Sequence, residues 1–249
     1  MLWLRRGVYA ASGACGYVLD AARHGGPLAC VSAARHLGLW VIEPESEVHV
    51  WMRGTGHRHP HPSCLCMEHW DDGARADPFA PPSLPRVLRQ ILGCRGVESF
   101  FVALESALRQ RRLTKAALAW LRSQTNDAGR DAIAFARSNS DSGLESLLRW
   151  RLRRYGFSVR TQVEIAGVGR VDFLVGERLL LEVDGRANHD ESALQPDGTS
   201  LRHKDLVRDA NAAAWDYVTL RFDYAMVVHD WDLVERAILA QIAASRHLR

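Results

Sequence analysis

The chain has 249 residues, 47% of them hydrophobic and 24% charged, with a formal net charge of +3. This length fits one large or two ordinary domains, and the composition supports a real core rather than disorder, a collagen-like repeat or a coiled coil. No apolar run approaches the ~20 residues of a membrane span, and the charges of Arg5 and Arg6 follow too short an apolar stretch for a secretory signal, so a soluble, cytoplasmic protein is expected.

Three blocks follow one another. The first, residues 1–70, opens on a strand-like run from Leu4 to Ala10. Helical stretches Tyr17 to His24 and Cys30 to Leu39 come next, split by Gly25-Gly26-Pro27, and an alternating strand covers Glu47 to Trp51. Asp71–Pro85, rich in Asp, Pro and Gly, reads as a linker. The remainder of the stretch 71–140 is a helical connector, with Val87, Leu88, Ile91, Leu92, Phe100, Phe101, Leu104 and Leu108 recurring at helical spacing. The third block, 141–249, changes pattern. A helix from Gly143 to Tyr155 is stopped by Gly156. Strands Ser158 to Ile165, Arg170 to Val175 and Leu179 to Asp184 follow, then a polar loop, a helix from Leu201 to Trp215, a strand Tyr217 to Phe222 and a helix Trp231 to Ala244. The order α-β-β-β-α-β-α describes an α/β (α+β) domain of ordinary size. Trp215, Leu220 and Phe222 are read as its core.

Only Lys115 and Lys204 are lysines, so nearly all positive charge is arginine, which suits bidentate phosphate contacts; a GC-rich genome would produce the same bias. The five cysteines (Cys15, Cys30, Cys64, Cys66, Cys94) are odd in number and clustered in the first hundred residues, a poor disulfide framework. The segment His57-x-His59-x-His61-x-x-Cys64-x-Cys66-x-x-His69 invites a zinc reading. Its Cys-x-Cys spacing fits structural zinc poorly, and a polar hairpin loop leading into Cys64–Trp70 is the preferred explanation.

Carboxylates in apolar strands need a reason, because an unpaired buried charge costs several kcal/mol. Glu182 and Asp184 share one face of their strand. Asp172 joins them only if the hairpin loop is odd: the three-residue loop Gly176-Glu177-Arg178 sets Asp172 across from Glu182, whereas a two-residue loop turns it away. A cation such as Mg²⁺ suits two carboxylates that close. The alternative is a structural pairing of Asp172 and Glu182 with Arg170 or Arg221, and Arg208-Asp209 reads as an ion pair.

The elements Ser142-Gly143-Leu144-Glu145-Ser146, Arg170-Val171-Asp172-Phe173, Glu182-Val183-Asp184-Gly185 with His189 beyond, Asp205-Leu206-Val207-Arg208-Asp209 and Leu220-Arg221-Phe222 together resemble the PD-(D/E)XK, restriction-endonuclease-like superfamily. Within it the chain is most similar to a bacterial family of unknown function related to very-short-patch-repair endonucleases. The resemblance covers residues 141–249 and implies a restriction-endonuclease-like αβββαβ core hydrolysing DNA phosphodiesters with Mg²⁺, or Mn²⁺ in its place. It implies Asp172, Glu182, Glu145 and the Val183 carbonyl as metal ligands. Asp184 stands where the superfamily usually has lysine. His189 is then a candidate acid or base, and Lys204 and Arg208, one helical turn apart, are candidate DNA contacts. A catalytically inactive DNA-binding or antitoxin-like regulator is the rival reading. In the first block, Arg5-Arg6-Gly7-Val8-Tyr9 and Val31 to Leu39 resemble the tail of an antitoxin-type winged helix of abortive-infection systems. Met1 falls almost at the wing strand, so either the chain is truncated or the module is a remnant.

Overall fold

A computed structural model describes residues 1–42, 46–62, 64–73, 79–184 and 201–248. They form two compact units, Met1–Ser138 and Asn139–Arg249. The helical stretch expected to be a connector is thus part of the first unit.

In the first unit, the run expected as one strand from Leu4 is instead a hairpin of β1 (Leu2–Arg5) and β2 (Val8–Ala10), reversed at Gly7 with φ +76°. α1 (Gly16–His24) and α2 (Cys30–His36) match the expected helices, although α2 ends before Leu39. β3 (Val48–Met52) is buried at all five positions, while β4 (Cys66–Trp70) has no fully buried residue. The two strands pair in parallel, in register from Val48↔Cys66 to Met52↔Trp70. The expected hairpin between them is therefore excluded: a parallel pair needs a crossover, which the Arg53–Leu65 stretch supplies. α3 (Leu84–Arg109) packs on α2 and kinks at Gly96, whose φ is +82°. Its residues Val87, Leu88, Ile91, Phe100, Phe101 and Leu104 are buried, which explains why this helix belongs to a core rather than to a linker. α4 (Lys115–Ser123) and α5 (Asp127–Phe135) are capped by Thr114 and Asn126, whose side chains accept from the Ala117 and Gly129 N–H groups.

The second unit runs α6 (Gly143–Leu152), β5 (Val159–Ile165), β6 (Gly169–Val175), β7 (Leu179–Asp184), α7 (Leu201–Ala214), β8 (Val218–Asp223), α8 (Tyr224–His229) and α9 (Trp231–Ala243). Its sheet order is β5-β6-β7-β8, with the first two pairings antiparallel and β7–β8 parallel. A helical turn at Arg153–Tyr155 extends α6 until Gly156, at φ +66°, ends it. Leu147, Leu148, Val171, Phe173, Val175, Leu179, Leu180 and Leu181 are buried at 1% exposure or less. Phe222 joins this core and Leu220 is half-buried, but Trp215 is 65% exposed. It lies past the last turn of α7, beyond the helix face that Ala212 buries. No helix among the described residues is long and apolar enough to cross a membrane.

Candidate functional site

In the second unit Val175 pairs with Leu179, so the β6–β7 loop is the odd one, Gly176-Glu177-Arg178. Gly176 takes φ +62° there, and a Cβ on it would lie 2.2 Å from the His247 carbonyl oxygen. Continuing the register one step beyond Phe173↔Leu181 sets Asp172 opposite Glu182. On the other side, Thr161↔Phe173 and Val163↔Val171 bracket Gln162 against Asp172, and Glu182 pairs with Arg221 in β8. Four polar residues, Gln162, Asp172, Glu182 and Arg221, therefore cross the whole sheet in one row.

Each member of that row has partners. Asp172 accepts a hydrogen bond from the Val183 N–H at 2.9 Å, and the Gln162 side chain is a further polar neighbour that favours its charged form. Burial raises its carboxyl above the usual carboxylate range; the Val183 N–H and Gln162 oppose that rise, and the Asp184 charge adds to it. Gln162 Nε2 also donates to Glu145 Oε2 at 2.6 Å, linking α6 to the sheet. Glu145 is 5% exposed and sits in a capping arrangement: its N–H donates to Ser142 Oγ at 3.1 Å, and its Oε2 accepts from the Asp141 N–H at 3.0 Å. Gln162 holds φ +54° inside a strand, a left-handed conformation that a non-glycine residue adopts only when its surroundings over-determine it.

Glu182 is 8% exposed, and both its oxygens are paired. Oε1 accepts from Arg208 of α7, and Oε2 accepts from Arg221 Nε at 2.9 Å. Arg221 also donates to Asp209, and Arg208 to the Arg170 carbonyl oxygen at 2.7 Å. The expected Arg208–Asp209 pair is thus exchanged for two pairs to the sheet, because adjacent helical residues do not face each other. The structural alternative for Glu182 is realised with Arg221, whereas Arg170 pairs with Asp141 rather than with either strand carboxylate. Val183 offers its N–H to Asp172. Asp184 is exposed and pairs in register with Asp223, while His189 lies outside the described residues. Lys204 is exposed on α7 and lines, with His203 and Arg208, a groove of about 570 Å³ beside the Gly167–Gly169 turn. Sequence reasoning missed Gln162; a glutamine between Thr161 and Val163 in a half-polar strand carries no signal of its own.

The first unit brings other groups together. Among the described residues, ligand atoms lying within 4.8 Å of one another form two sets that could hold a metal ion: His24, His61, Cys64 and Cys66, and Cys30, His49, His69 and Cys94. The Glu145, Asp172 and Glu182 carboxylates do not form such a set. The segment His57–His69, expected as a polar loop, contributes to both sets. Its residues divide between two clusters, each completed from elsewhere in the chain, while His57 and His59 join neither. Burial, then the His69 and Arg95 charges, lowers His49 to about 3, and burial followed by Arg95 lowers His69 to about 4. Both rings are neutral at pH 7. Burial pushes the Cys30 and Cys66 thiols up, reinforced by Cys94 and Cys64 respectively.

The chain thus combines a mixed α/β unit carrying a polar row across its sheet with a unit holding two Cys/His clusters. Comparison with protein-family models, with curated proteins and with solved structures finds no match.

Proposed function

We propose that the chain is a metal-dependent DNA endonuclease whose second unit is a restriction-endonuclease-like nuclease core. The observation that carries this reading is the odd β6–β7 loop, which puts Asp172 and Glu182 at one register position with Glu145 tied to the same row through Gln162. The order α6-β5-β6-β7-α7-β8, with β8 parallel to β7, also supports it.

The donor types are those of a hard cation, although the three carboxylates are not gathered within one ion's reach in this structure. Asp172, Glu182, Glu145 and the Val183 carbonyl are oxygen ligands of the kind Mg²⁺ or Mn²⁺ takes. Bound there, such an ion would lower the pKa of a coordinated water and neutralise charge developing on the phosphate. Glu182 already has a guanidinium group on each oxygen, so a cation and Arg208 compete for it. DNA resolves that competition: a phosphate offers Arg208 a bidentate partner in place of the carboxylate. Gln162 meanwhile holds the Asp172 and Glu145 carboxylates in position, and Lys204 extends the positive edge along α7. Asp184 occupies the position of the superfamily's lysine, leaving His189 or Arg208 to supply the missing acid or positive charge.

The same ion pairs favour a second reading. If Arg208 and Arg221 hold Glu182 permanently, the unit is a catalytically inactive DNA-binding or antitoxin-like regulator. The experiment incubates purified protein with supercoiled, linear, mismatched and single-stranded DNA in Mg²⁺, Mn²⁺ or EDTA. Metal-dependent cleavage lost in Asp172→Ala supports the endonuclease. Binding without cleavage supports the regulator, and cleavage unchanged in Asp172→Ala refutes the site.

A further inference from the structure

We propose that the first unit is a zinc-stapled module, in which two Zn²⁺ ions sit on opposite faces of the β3–β4 ribbon in separate Cys₂His₂ sites. In the parallel register, Cys66 and Glu68 share one face of β4, while His69 shares the other with His49 of β3. The first site takes His24 from the last turn of α1, His61 and Cys64 from the crossover, and Cys66 from the start of β4. The second takes Cys30 from the first residue of α2, His49, His69, and Cys94 from α3. Ligands of the two sites interleave along the chain, so neither ion closes a simple local loop.

Donor chemistry selects zinc, and each set already gathers its ligand atoms within 4.8 Å of one another. Two thiols and two imidazoles make a borderline-soft set, and zinc radii place tetrahedral ligand atoms roughly 3.3–3.8 Å apart. His24 Nδ1 lies 3.2 Å from Cys64 Sγ, and His61 Nε2 lies 4.0 Å from Cys66 Sγ. In the second site, His49 Nδ1 is 4.0 Å from Cys94 Sγ and 2.7 Å from His69 Nε2. The outer contacts of the first site match those of ligating histidines. His24 Nε2 meets Glu68 Oε1 at 3.0 Å, and His61 Nδ1 lies 3.3 Å from the Pro62 carbonyl oxygen. Each ring therefore has an oxygen to fix its tautomer and leave the other nitrogen for the metal. In the second site Arg95 Nη2 stands 3.0 Å from His49 Nε2 and 3.3 Å from Glu47 Oε2. Metallated His49 carries a proton on Nε2, so Arg95 rests on Glu47 alone when the ion is present.

The fold supplies an independent reason. β4 buries none of its residues fully, and the crossover before it is mostly exposed and polar, yet β4 pairs along its full length with a completely buried strand. An isolated two-stranded ribbon is marginal without such a staple. Cys30, fully buried, is also held at φ +48°, with its N–H on Gln90 Oε1 at 3.0 Å, which aims its side chain at the second cluster.

The test is metal content and thiol accessibility of the full chain, purified without metal-affinity resin or chelator. Elemental analysis and native mass spectrometry are expected to give two zinc ions per chain. Only Cys15, which is exposed and in neither set, reacts quickly with a thiol reagent; the other four react after a strong chelator strips the metal. Cys66→Ser and Cys94→Ser each lower the stoichiometry from two to one, whereas Cys15→Ser leaves it at two. If the cysteine variants fail to fold, Glu68→Gln decides: it retains the fold and releases one of the two ions about 10–100-fold more readily to a competing chelator. A metal-free chain with all five thiols reactive, a Cys30–Cys94 or Cys64–Cys66 disulfide, or an unchanged release profile in Glu68→Gln overturns the proposal. None of these readouts depends on DNA cleavage.

Discussion

Replacing Arg221 with leucine isolates the electrostatics of the polar row. Glu182 has a side chain 11% exposed and two guanidinium partners; Arg221 is 36% exposed and shared with Asp209. Removing a charge-assisted hydrogen bond from a buried carboxylate costs about 1.5–3 kcal/mol. The remaining Arg208 contact keeps the loss below the 3–5 kcal/mol of a fully orphaned buried charge. The Asp209 pair, 45% exposed at the carboxylate, adds at most about 0.5 kcal/mol. Leucine keeps much of the apolar stem. Arg221→Leu in EDTA should therefore destabilise by about 2–3 kcal/mol, read as a fall of roughly 1–2 M in the urea midpoint at ordinary denaturant slopes. The double variant Glu182→Gln/Arg221→Leu should recover part of the loss, with a coupling energy on the order of 1–2 kcal/mol. Mg²⁺ should narrow the deficit of the single variant by occupying the vacated charge. A loss below about 0.5 kcal/mol, or strict additivity in the cycle, would refute this account of Glu182.

Three further outcomes follow from the second unit. Asp172→Asn should abolish metal-dependent cleavage without lowering stability. The wild-type carboxyl is raised by burial, so its folded state favours the proton; that contribution is whole below the unfolded pKa and disappears as pH climbs through the folded one, and urea titrations across that interval should show the asparagine variant lacking this decline. Gly176→Ala combines a left-handed φ with a Cβ 2.2 Å from the His247 carbonyl, and should cost on the order of 2–4 kcal/mol in thermal or urea unfolding. Wild-type stability there would refute the closeness of the C-terminal segment to this turn. Ser142→Ala removes the cap on the Glu145 N–H and should cost about 1 kcal/mol; a neutral result would mean that Asp141 and Glu145 hold the helix start unaided.

The second unit was legible because its signals are local. The strand-like runs Arg170–Val175 and Leu179–Asp184 fixed strand type, and Gly156 and Gly176 marked reversals, so α6, α7, α9 and the four strands fell close to their expected places, whereas the short α8 after β8 was not expected. The row could be written down only conditionally, since the length of one turn decides whether Asp172 faces Glu182. Pairings that depend on α7 meeting the sheet, Arg208 with Glu182 and Asp209 with Arg221, have no spacing rule in one dimension. Gln162 was invisible because its importance lies in a left-handed backbone that no glycine announces. The first unit hid more. β4, Cys66-Met67-Glu68-His69-Trp70, shows no apolar alternation. Knuckle spacing failed on the histidine-rich segment because each cluster draws ligands from distant elements: His24 lies 40 residues from Cys64, and Cys94 lies 45 from His49.

Because the ribbon of β3 and β4 carries a ligand set on either side, two separate vulnerabilities coexist in a single polypeptide. With zinc in both sets, oxidants, acid or a sequestering agent should attack the amino-terminal half by stripping these proposed cross-links, while the carboxy-terminal half, held by aliphatic layers and guanidinium–carboxylate contacts, answers chiefly to denaturant and ionic strength. A cell that starves for metal would disarm one half first, leaving the other folded.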